Sequence, residues 1–119
     1  MLQRSDTIMG DEKKIRCAHL FLISEGDPAH HHATFETSCV KIDIYAVANL
    51  EKGEELCRKL VNEGTSLIEL CGSWGYEGAS RILRATDNRV PVGFVTHQQH
   101  NSILLARVME TSTNPYNKL

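Results

Sequence analysis

Residues 64–97 constrain the fold of this chain more than any other stretch. A short apolar run, Leu67-Ile68-Glu69-Leu70-Cys71, breaks at the glycine-punctuated turn Gly72-Ser73-Trp74-Gly75-Tyr76-Glu77-Gly78. An amphipathic helix follows, and then a second apolar run, Val90-Pro91-Val92-Gly93-Phe94-Val95-Thr96, closed by His97. This reads as one strand–helix–strand unit. A strand that leads through a helix into its neighbour must run parallel to it, and the linking loops then gather at the carboxyl ends of the strands. Open α/β sheets bind their ligands at that edge.

The flanking segments extend the pattern. Residues 15–24 are mostly apolar and read as a central strand. Glu25-Gly26-Asp27-Pro28 ends it; Asp27 suits a helix cap and Pro28 a first helical position, so 29–36 is a short helix or an ordered loop. Residues 39–48 alternate, with Val40, Ile42, Ile44 and Ala46 on one side and Lys41, Asp43 and Tyr45 on the other. Such alternation marks a strand with one wet face, at the edge of a sheet. Asn49 caps a helix reaching about Glu63, buried along Leu56, Leu60 and Val61, and Gly64 supplies its left-handed stop. The next helix spans about 76–85, with Ala79, Ile82 and Leu83 inward. Asn101 or Ser102 caps a last helix to about 110, with Ile103, Leu104 and Val108 buried.

The expected architecture is a single small α/β domain over 15–110, between a flexible tail (1–14) and a frayed one (111–119). Its sheet is mostly parallel and four-stranded, with two or three helices, in flavodoxin-like or half-barrel-like order. Crossovers that step the same way put their helices on one face. Parallel sheets rarely leave a face wet, so the other face needs the terminal helix or another subunit. A homo-oligomer, dimer or higher, is the expectation.

Composition narrows the function classes. Thirteen basic against fifteen acidic residues give a net charge of −2, without a patch suited to nucleic acid or an acidic membrane surface. No apolar run approaches the ~20 residues that span a bilayer. The first fourteen residues lack the apolar core of a secretory signal. Cys17, Cys39, Cys57 and Cys71 show no close pairing, which points to reduced thiols in a cytoplasmic protein rather than to a four-thiolate zinc site.

From about residue 15 to 108 the chain resembles a family of small, mainly bacterial α/β proteins catalogued as a domain of unknown function. The motif Leu-Ile-Glu-Leu-Cys-Gly-Ser-Trp-Gly-Tyr-Glu-Gly-Ala (67–79), followed by Val-Pro-Val-Gly-Phe-Val-Thr (90–96), carries the resemblance. It implies kinship and brings no activity or catalytic residue with it. The segment also looks like one step of a phosphate-binding barrel, a likeness of fold alone.

Three constellations are candidates for chemistry. Free amides and a helix start at the turn suit a small anion, held by Gly72, Ser73, Trp74, Gly75, Tyr76 and Gly78, with Asn49 at a neighbouring strand end. The turn is neither GxGxxG nor a lysine-bearing phosphate loop, and Glu77 opposes an anion. Its structural alternative is a tight connection capped by Ser73 or Gly75, with Trp74 as a plug. Cys71, His97 and Glu69 on one rim would suit a thiol nucleophile beside an imidazole. His30 and His32, with His97 and His100, are candidate ligands for a divalent metal, although three consecutive histidines cannot all face one ion. Two functions therefore stay open: an oligomeric module binding a small anionic metabolite, and a small metabolic enzyme (lyase, isomerase or hydrolase), metal-assisted or not. A third is assembly itself.

Overall fold

A computed structural model of the chain describes residues 14–110; the two predicted tails otherwise lie outside it. Five strands, β1 (Ile15–Leu22), β2 (His32–Glu36), β3 (Val40–Val47), β4 (Leu67–Leu70) and β5 (Val92–Phe94), form one sheet in the order β2-β3-β1-β4-β5. The pairs β3–β1, β1–β4 and β4–β5 are parallel, and β2 alone is antiparallel. Helix α1 (Leu50–Asn62) links β3 to β4 and α2 (Gly75–Ala85) links β4 to β5; α3 (Ser102–Met109) ends the described chain. Without β2, the parallel strands run in the flavodoxin-like order anticipated from sequence.

Two expectations are corrected here. Residues 29–36 do not make a helix, and the sheet has five strands rather than four. Asp27 does cap a turn: its carbonyl accepts from the amides of His30 and His31, and its carboxylate takes the Ala29 amide and pairs with His30 Nδ1. The turn is not propagated, because three histidines and Thr34 are poor helix formers, while Thr34 and Phe35 suit a strand. Thr37 then closes a hairpin, its Oγ1 accepting from the amides of Cys39 and Val40. β2 thereby takes the edge predicted for β3, and β3 becomes an inner strand.

Burial follows the period of two. Ala18, Leu20 and Leu22 of β1, Val47 of β3 and Ile68 and Leu70 of β4 are all buried, under Cys57 and Leu60 of α1 and Ile82 of α2. Each large apolar side chain fully removed from water there contributes about 1.5–3 kcal/mol. The capping expectation for α1 holds: Asn49 accepts the Lys52 amide at 2.8 Å, and Gly64 follows with φ +111°.

The alternate side chains face the other way, in rows set by strand register. One row runs Phe35, Ile42, Cys17, Leu67; the next runs Ala33, Ile44, His19, Glu69, Gly93. The helix α3 sends only Leu105 toward this face as a half-buried residue. Ile103, Leu104 and Val108, expected to be buried, are 68%, 52% and 62% exposed, because no other part of the described chain lies outside them.

Candidate functional site

The decisive geometry surrounds the connection between β4 and α2. A 3-10 turn (Gly72–Trp74) carries the chain from one to the other. Trp74 is 4% exposed, and its indole Nε1 donates to the Leu20 carbonyl at 3.1 Å, tying the turn to the central strand. A side chain at Gly53 of α1 would collide with the Trp74 ring, and one at Gly78 of α2 would come within 3.0 Å of its Cβ. The plug foreseen for Trp74 is therefore real, and glycine at position 53 is what admits it.

A cavity of about 490 Å³ opens over the carboxyl-terminal half of β1, on the face turned away from α1 and α2, between the turn and α3. His19 and Phe21 form one wall, stacked with ring centroids 4.9 Å apart. Cys71, Gly72 and Ser73 form the floor, Val95, His97 and Gln99 the rim, and Leu105 and Met109 of α3 the far wall. His97 leans over the floor, its Cε1 3.3 Å from where a Cβ on Gly72 would stand. Among the described residues, no acidic side chain lines this cavity. Among the described residues, the buried Nε2 atom of His19 has no hydrogen-bond partner.

Cys71 is buried in a polar cradle: its Sγ accepts from the Leu22 amide at 3.4 Å and lies 2.9 Å from Ser73 Oγ. The rim shared by Cys71 and His97 thus exists, although the thiol's partner is Ser73. Glu69 does not line this cavity, although it neighbours His19 in the same open-face row. Its carboxylate lies 3.5 Å from the position of a Cβ on Gly93, and the Cys17 thiol is pushed up by burial and then by this acid.

The predicted anion-binding set divides in two. Gly72 and Ser73 face the cavity just described. Asn49, Trp74 and Gly78 line a smaller one of about 340 Å³ on the helix side, together with Ser73 and Glu77. Tyr76 is 82% exposed and packs edge-on against Phe94 at 4.9 Å. Gly75 serves the backbone, with φ +64° at the end of the turn. Asn49 is committed to its cap.

The histidines do not converge. His32 lies on β2, stacked on Tyr45 at 4.5 Å, with its Nε2 3.7 Å from Asp43. His97 and His100 follow β5, at the opposite edge of the sheet. Four strand spacings of ~4.8 Å separate those edges, roughly 19 Å, too far for one ion. His30 pairs with Asp27, whose carboxyl it holds below the usual range. Among the described residues no cluster of three or more metal-binding side chains forms.

A family model described as a family of unknown function, DUF6506, matches residues 15–110. The chain belongs to this family. The match spans every element of the sheet together with α3, so the strand-end cavity is wholly a feature of the DUF6506 domain. No curated protein and no solved structure matches the chain. Among the described residues of this DUF6506 domain, no helix is long and apolar enough to cross a membrane. Sequence reasoning missed His19, Phe21, Val95, Gln99 and the α3 side chains Leu105 and Met109 as cavity residues. The signal for His19 and Phe21 was available, since both fall on the β1 face that alternates away from the buried Leu20.

Proposed function

We propose that this domain is a small-molecule-binding module whose ligand occupies the strand-end cavity, with an anionic group over the Gly72–Ser73 floor and an apolar body against Phe21, Val95 and Leu105. One observation carries the reading: His97 and the Gly72–Ser73 floor converge on an otherwise largely apolar hollow of about 490 Å³. A mostly apolar concavity with a few convergent polar groups, at the carboxyl edge of a parallel sheet, is the usual form of a ligand site.

Charge chooses between the two cavities. A helix start favours an anion by ~0.3–1 kcal/mol at an exposed site. A carboxylate at 4 Å opposes it by about 1 kcal/mol in water and about 4 kcal/mol near a protein surface. Glu77 lines the helix-side cavity, so that cavity is the poorer host; His19 and His97 replace it on the preferred side.

Thermal shift and calorimetry with inorganic phosphate, short aliphatic carboxylates and benzoate test the reading. A carboxylate with an apolar body should raise the melting temperature of the unaltered chain, and the rise should shrink with His97→Ala and vanish with Gly72→Val. If none of these probes shifts the melt, or if Gly72→Val leaves the shift intact, the reading fails. The enzyme reading keeps the same cavity, with Cys71 as nucleophile, but the thiol's hydrogen bonding to Leu22 and Ser73 favours a structural role for it.

A further inference from the structure

Both helices that link parallel strands pack together on one side of the sheet; among the described residues, only α3 lies on the other side, at the His19–Phe21 end. The rows on that side are apolar apart from His19 and Glu69. Phe35 is 55% exposed, Val95 is 39% exposed, and Ile42 and Ile44 are only half-buried. The terminal helix presents the matching defect. Eight residues long, α3 has Leu105 as its one half-buried side chain, while Ile103, Leu104 and Val108 face outward. An isolated helix shorter than ~12–15 residues is marginal in water, so α3 needs a surface to pack on.

We infer that a second copy of this chain covers both defects, with the outward side of α3 from each protomer seated on the Phe35–Ile42–Ile44 face of its partner. Among the described residues, the Phe35–Ile42–Ile44 part of the sheet face carries no helix and the outward side of α3 carries no sheet, and one two-fold axis satisfies both at once, each contact being repeated by symmetry. Size is compatible. The exposed apolar side chains of α3 with Phe35 and Val95 leave on the order of 600 Å² in water, at the upper end of a typical monomer's largest patch and short of the ~800 Å² that each partner gives to a standard interface. Charge agrees as well. A net charge of −2 offers little self-repulsion, and Phe35, Ile42 and Ile44 themselves carry no charge to desolvate, the Glu69 of the Ile44 row lying two strands further on.

Sedimentation and light scattering of the full chain decide the matter, with reductant present so that the exposed Cys39 cannot link copies. The expected result is a dimer at micromolar concentration whose dissociation constant rises about 100-fold or more with Leu104→Lys and, separately, with Phe35→Lys. The first substitution lies outside the sheet, so it keeps the test decisive if the second disturbs β2; circular dichroism reports folding of each. A chain that is monomeric at ~100 μM, or a dimer indifferent to Leu104→Lys, overturns the inference. No ligand enters these measurements, so their outcome is separate from that of the cavity reading.

Discussion

Trp74 occupies the space that a side chain on Gly53 would need. A glycine in a helix interior ordinarily costs about 1 kcal/mol relative to alanine. At this position the indole reverses the preference. Gly53→Ala should lower stability by about 1–3 kcal/mol, the usual cost of overpacking. Urea denaturation monitored by tryptophan fluorescence measures it, and a stabilised variant would contradict the packing described.

Asn49 stands where an anion-binding residue was expected, yet it is a helix cap. Asn49→Ala should cost about 1 kcal/mol, a fall in melting temperature of about 4–8 °C for a domain of this size. Any ligand-induced shift measured with the carboxylate probes should survive that substitution unchanged. Loss of the shift would return Asn49 to the binding set.

The four thiols should separate by reactivity. Burial pushes the Cys57 thiol up to about 12, whereas Cys39 is exposed. At pH 8 a thiol with a pKa near 12 holds about a thousandfold less thiolate than an ordinary cysteine. Iodoacetamide followed by peptide mass spectrometry should therefore find Cys39 alkylated first and Cys57 last in the folded chain. Early labelling of Cys57 would mean that α1 opens readily.

Glu54 and Arg81 join α1 to α2 through two hydrogen bonds, of 2.8 and 3.1 Å. The hydrogen bonds from Arg81 hold the Glu54 carboxyl below its ordinary value. With the folded value depressed, the contribution is complete above the unfolded glutamate value of about 4.5 and is lost as pH falls through the folded one. Unfolding free energy measured from pH 7 to pH 3 should thus fall less steeply below pH 4.5 in Glu54→Gln than in the unaltered chain. Parallel curves would show that the pair contributes nothing.

The parallel core was legible because its signals are local and agree with one another. Alternation along Val40 to Ala46, the Asn49 cap and the glycine-broken run after Cys71 each specify an element without reference to the rest of the chain. The shared rim of Cys71 and His97 followed from parallel topology alone. What failed depended on partners distant in sequence. His32 to Glu36 becomes a strand because β3 offers it a free edge; Thr34 and Phe35 favour a strand locally but do not say which edge takes them. Ile103, Leu104 and Val108 have the periodicity of a buried stripe, and periodicity does not say whether the same chain supplies the cover. The metal set failed for the same reason, since His32 and His97 fall at opposite edges once the strand order is known.

The strand-end cavity has an uneven construction. Its floor is anchored by Trp74 to Leu20 and to both linking helices, while its rim and far wall come from residues 95–109, most of them in contact with water. A foundation so firmly fixed would gain no freedom when a guest left the cavity and lose none when one arrived. If the proposed ligand is bound, its selectivity could be rewritten by edits to the upper storey alone, without endangering the ability to fold.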